Sequence, residues 1–171
     1  MDFERTEFSD ATYGVVGRAL TYAQRFEADC KALRLLVEAT TGKLHRELFG
    51  DEESWKEFID RLHGQPLYGQ IRNISQRLQL PGDIDGILQA ARDARNAIAH
   101  EVCLGIQHDI ETDVGRDRLV GEISRAVRHI VEGHLLILIG MAVLTNEQLP
   151  AKHYINSYCD KVVEWVSSTE D

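Results

Sequence analysis

The chain holds few of the residues that staple or break a fold, with three cysteines and three prolines in 171 positions. Cys30, Cys103 and Cys159 are far apart, odd in number and without CxxC or Cys/His spacing. That excludes a disulfide framework and argues against a zinc site, and it fits reduced thiols in a cytoplasmic protein. The prolines, Pro66, Pro81 and Pro150, all fall near breaks in the hydrophobic pattern, so none interrupts an element. Long apolar runs are also missing. The longest, from Leu135 to Leu144 and interrupted by Gly140, is about half the length a membrane span needs and reads as a buried helix. The first ten residues, MDFERTEFSD, are acidic and carry no apolar segment, which argues against a secretory signal.

Positive charge is scarce as well. Nineteen Lys and Arg face twenty-eight Asp and Glu, a formal charge of -9. The field of the whole molecule repels polyanions, so nucleic-acid binding requires a local cationic cleft working against it. There is no P-loop, no GxGxxG after a strand and no GxSxG elbow, which leaves out the nucleotide-fold and hydrolase-fold enzymes. No repeat, linker or low-complexity tract divides the chain, so residues 1–171 read as a single domain. Its 43% apolar and 27% charged content is ordinary for a folded protein.

What the sequence has in quantity is helical periodicity. Apolar residues recur at three- and four-residue steps from about Asp10 to Thr41, with Val16, Leu20, Ala23, Cys30, Leu33 and Val37 on the stripe and Phe26 and Leu36 beside it. Ser9 or Asp10 can cap this first helix. A short helix from Ser54 to Leu62 has Ser54 and Glu57 at capping-box spacing, with Trp55, Phe58, Ile59 and Leu62 on one side. A third spans Leu67 to Leu78 and is ended by LPGD, which also caps the fourth. A fifth runs from about Arg116 to Thr145, with Leu119, Ile123, Val127 and Ile130 turned inward, and a sixth from about Ala151 to Val166. The expected fold is all-α, an antiparallel bundle of four to five main helices.

The fourth helix contains the stretch with chemical content, AARDARNAIAHEVC from Ala90 to Cys103. At about 100° per residue, Ile84, Leu88, Ala91, Ile98 and Val102 form an apolar stripe with Arg95 inside it. A guanidinium on that line must be paired, reach out to solvent or line a cleft. Arg92, Asn96 and His100, four apart, stack along a second line. Arg95 and His100 are separated by about 140° and about 7.5 Å along the axis, so one helix does not point both at one atom. Two copies facing each other across a two-fold axis would join them, and Ala90, Ala91, Ala94, Ala97 and Ala99 leave room for close helix approach.

Two arginines and a histidine without clustered carboxylates make a poor divalent-metal site and a good phosphate site. Imidazole can take a proton from a hydroxyl near neutral pH, and guanidinium stabilises charge on a pentavalent phosphorus. Cleavage of RNA through its own 2′-OH needs neither metal nor cofactor. The bland reading is that Arg95 and His100 serve ion pairs and the helix dipole.

Arg95-Asn96-Ala97-Ile98-Ala99-His100, late in a helix of an all-α chain of this size, resembles the R-x4-6-H motif of the HEPN superfamily, with a polar residue after the Arg. The resemblance covers the motif and the helical layout from about Gly64 to Thr145. It implies a helical bundle that dimerises to bring two motifs together, and a metal-independent endoribonuclease of the kind found in toxin–antitoxin, phage-defence or RNA-processing systems. Arg95 and His100 would be catalytic and Asn96 supportive; the partners implied are RNA, a second copy of the chain and a cognate antitoxin or regulator. Arg92 lies outside the motif and is assigned to substrate binding from helix geometry alone. The position two after the His, a Tyr in members controlled by AMP attachment, is Val102 here, which argues against that control. Other members are non-catalytic binding or dimerising modules, the second reading carried forward.

Arg118, Arg125 and His129 share a face of the fifth helix, with Arg128 beside it, which reads as a solvated face before it reads as an RNA surface. His134 lies on the apolar side of that helix and reads as a hydrogen-bonded core histidine. His45, His63, His108 and His153 fall in loops or at boundaries, and Trp165, Tyr154 and Tyr158 read as packing at the bundle's end.

Overall fold

The computed structural model describes residues 7–40, 52–102 and 112–168. Six helices and no strand occur among the described residues: α1 (Glu7–Thr40), α2 (Glu52–Gly64), α3 (Leu67–Leu78), α4 (Gly82–His100), α5 (Asp113–Thr145) and α6 (Lys152–Ser167). The all-α expectation holds. His45, Cys103 and His108 lie outside the described residues, as does the side chain of Trp55.

Helix α5 is the spine, packed against α4, α1 and α6, while α3 lies on α1. Its inward stripe, Leu119, Ile123, Val127 and Ile130, is fully buried as its spacing predicts and continues through Val131 and Ile137. By length and composition alone α5 could cross a membrane; in this fold its apolar stripe forms the middle of the core. Helices α5 and α4 approach closely at Gly133, where a Cβ would run into the Ala91 Cβ of α4. That contact spends Ala91 inside the chain, so this alanine does not serve a dimer face.

Helix boundaries moved where capping chemistry differs from the spelling. Thr112 in extended backbone caps α5, its hydroxyl accepting from the Gly115 amide at 3.1 Å, so α5 begins at Asp113. Helix α2 begins at Glu52, which puts Ser54 inside the first turn and not at the cap. Pro81 precedes α4 without a side-chain cap, and Asp83 and Asp85 instead place carboxylates at the positive end of the helix dipole. Asp85 accepts from the Ser75 hydroxyl at 2.5 Å, tying α4 to α3. The left-handed residues Gln79 and Asn146 end α3 and α5.

The stripe on α1 is also revised. Val15, Ala19, Tyr22 and Phe26 are buried in its first half, whereas Val16 and Leu20 are only partly so. Val15–Val16 and Ala19–Leu20 are adjacent apolar pairs, so the pattern is satisfied by either rotation of the helix, and packing selects one. Farther along, Arg34 and Glu38 are buried as an ion pair at 2.8 Å, with Arg77 of α3 3.7 Å from the second oxygen of Glu38. Buried Gln70 donates to the Leu62 carbonyl at 2.5 Å and so holds the end of α2 against α3.

Candidate functional site at the end of helix α4

Helix α4 forms readily because it is rich in alanine and leucine-like residues, carries acids in its first turn and a histidine in its last. It runs without a break through His100, so the angular relation of Arg95 to His100 is that of a regular helix. The buried line consists of Leu88, Ala91, Ala94 and Ile98. Ile84 and Val102, expected on that stripe, are half-buried at its ends.

Arg95 sits at the edge of the buried line, its side chain 21% exposed. Its Nη2 forms an ion pair with Glu27 of α1, and its Nη1 donates to Asn96 Oδ1 at 3.2 Å. Its Nε is buried without an acceptor among the described residues. The pairing answers how a guanidinium can sit on a core-facing helix: the opposite charge comes from α1. Glu27 also bonds Lys31 at 3.0 Å. Burial alone would raise the Glu27 pKa, but Lys31 and Arg95 outweigh it and hold the carboxyl below the usual range.

Asn96 and His100 are exposed on the outer side of the same helix. His100 makes no side-chain hydrogen bond or ion pair among the described residues. Arg92 shares their line but turns away: it pairs with Asp93 at 2.5 Å, donates to Gln89 Oε1 at 2.5 Å and lies over the Tyr68 ring at 5.3 Å. Arg95 and Asn96 are thus brought together, His100 stands about one turn further on, and Arg92 is engaged on the side facing α3.

Other expectations resolve against this geometry. Arg118 pairs with Glu122 at 3.3 Å, Arg128 with Asp160 at 3.0 Å, and His129 approaches Glu132 at 3.6 Å. That is a solvated face laced with carboxylates. His134 is fully buried, as its place on the apolar side predicts. Its Nε2 donates to Asp29 Oδ2 at 2.7 Å, its Nδ1 accepts from the Tyr22 hydroxyl at 2.8 Å, and Tyr22 lies 3.3 Å from the Tyr158 hydroxyl. Burial lowers the His134 pKa more than Asp29 raises it, which favours the neutral ring. The Tyr22 hydroxyl is pushed up, first by burial and then by its bond to Tyr158. His63 and His153 are exposed as expected. Tyr154 and Trp165, by contrast, are about half exposed and not closed into the core: 46% and 49%.

Sequence reasoning missed Glu27 and the Asp29–His134–Tyr22 chain. The Glu27–Lys31 spacing of four was available as a helix-face pair. Nothing local marked Asp29 as a partner of a residue 105 positions away. Among the described residues no group of three or more His, Cys, Asp or Glu side chains is gathered in metal-binding proximity. Compared with protein-family models, curated proteins and solved structures, the chain gives no significant match.

Proposed function

We propose that the protein is a metal-independent endoribonuclease of HEPN type, with Arg95, Asn96 and His100 as its catalytic set in a cleft shared by two copies. The observation that carries this reading is the placement of Asn96 and His100 on the open side of α4, beside an arginine that is paired but still one-fifth exposed. A histidine at the exposed end of a regular helix, without a side-chain partner among the described residues, is available for proton transfer, unlike His134 in the core. In the proposed reaction His100 takes the proton of the 2′-OH as O2′ bonds to phosphorus. The bond from phosphorus to O5′ then breaks, and the leaving O5′ takes a proton from the second copy's histidine or from water. The products are a 2′,3′-cyclic phosphate and a 5′-hydroxyl. Arg95 holds the phosphate oxygens and Asn96 orients Arg95.

One observation favours the second reading, a non-catalytic HEPN-type module that binds RNA or a protein partner. Glu27 already neutralises Arg95, as it would if the arginine only ordered the fold. The two separate in one assay: total RNA incubated with the protein in EDTA, beside His100→Ala and Arg95→Ala. The nuclease reading predicts cleavage by the unsubstituted protein alone. Intact RNA in every lane across several substrates sinks it, and cleavage surviving both substitutions sinks the residue assignment. Light scattering at micromolar concentration tests the shared cleft, which requires a dimer.

A further inference from the structure

We propose that the groove between α1, α2 and the end of α4 binds a nucleotide of single-stranded RNA next to the phosphate held at Arg95. The inference rests on the reading of that site as RNA-binding. The groove has a volume of about 630 Å³ and is continuous with Arg95, which forms part of its lining. This volume lies within the range of small-molecule sites, roughly 300–1,000 Å³.

Its chemistry is divided in the way a nucleotide requires. Leu35 of α1 with Ile59 and Leu62 of α2 make an aliphatic wall against which a base can lie. Gln24, Lys31 and His63 supply an amide, an ammonium and an imidazole around it. The floor is recessed because α1 presents two exposed alanines there, Ala28 and Ala32. Longer side chains at either position would fill the space.

Charge points the same way. The chain as a whole carries -9, yet among the described residues that line the groove two cations, Lys31 and Arg95, face one carboxylate, Glu27, and the His63 imidazole completes the polar lining. That carboxylate is itself spent on Lys31 and Arg95. This is the local cationic cleft that a net-acidic protein needs to hold a polyanion. A purely apolar ligand would leave Lys31 and His63 unused, and a free phosphate would leave the aliphatic wall unused. A base with its phosphate uses both.

The test measures binding of a fluorescein-labelled single-stranded oligoribonucleotide in EDTA by anisotropy. All proteins carry His100→Ala, so that no cleavage intervenes. Ala32→Trp fills the groove and Lys31→Ala removes a cation; Lys161→Ala, on the exposed face of α6, is the control. Both groove variants are expected to weaken binding by about tenfold and the control to leave it unchanged, the loss of about 1.4 kcal/mol per tenfold being that of a contact. Binding unchanged in both groove variants overturns the proposal, as does the absence of binding by the parent. A change in oligomeric state with Ala32→Trp and no change in RNA affinity also overturns it, and makes the groove an interface between copies. The two proposals fail separately. RNA binding weakened by the groove variants in a protein that never cleaves leaves the groove standing and removes the nuclease. Cleavage by the protein with native His100, together with unaltered binding in the groove variants, does the reverse.

Discussion

His134 and His100 occupy opposite environments in one bundle. His134 is enclosed by α1, α5 and α6, with Asp29 on one ring nitrogen, Tyr22 on the other and the Phe26 ring 6.3 Å away edge-on. Both its nitrogens are spent. His100 ends α4 in solvent, with neither nitrogen bonded to a described residue. The first arrangement fixes a tautomer and rigidifies three helices, because a buried polar group must be satisfied or its desolvation is a loss. The second leaves proton transfer available. A histidine's role in this chain is therefore read from what its neighbours have already taken.

The largest expected effect breaks the open side. If the proposed nuclease reading holds, His100→Ala is expected to lower RNA cleavage by on the order of a hundredfold or more, as loss of a general base does, with the thermal unfolding midpoint unchanged. A fall in cleavage that tracks a fall in midpoint would erase the contrast with His134. His134→Ala does the opposite. It removes one buried hydrogen-bond partner from each of the Tyr22 hydroxyl and the Asp29 carboxylate and leaves a cavity, costing about 3 kcal/mol in urea unfolding. Gly133→Ala, one residue away on α5, forces a methyl into Ala91 and costs about 1–3 kcal/mol by the same measurement.

The next expectation concerns pH. Because burial holds the folded-state pKa of His134 below its ordinary value, the unfolded chain binds the extra proton first. Its contribution is complete above about pH 6.5 and is lost as the pH falls from there through the folded value. Denaturation midpoints of the protein and of His134→Gln, compared between pH 7 and pH 5, should show the steeper decline in the unsubstituted chain. Equal slopes would mean that other groups govern the acid limb. The smallest effect belongs to Asn96→Ala, which removes one exposed 3.2 Å bond to Arg95. Stability should stay within about 0.5 kcal/mol in urea unfolding, as for most surface substitutions.

Much of the architecture follows from the order of the residues. The inward stripe of α5, the burial of His134, the helical ends near Pro66, Pro81 and Pro150, and the all-α class are consequences of a 3.6-residue period and of proline's missing donor. These are local properties, legible without a partner. The Arg95–Asn96–His100 spacing is local too, including the separation of Arg95 from His100 around the axis.

Tertiary structure alone decided which of two adjacent apolar residues on α1 faces the core, because Val15 and Val16 satisfy the same pattern until another helix is present. It also decided that Ala91 is used against Gly133 within the chain. It supplied Glu27 to Arg95 across 68 residues and Asp29 to His134 across 105. The physical reason is common to all of these. A periodic pattern specifies a face, but the charge that neutralises a buried cation, and the hydrogen bond that satisfies a buried ring, come from whichever helix the packing brings alongside.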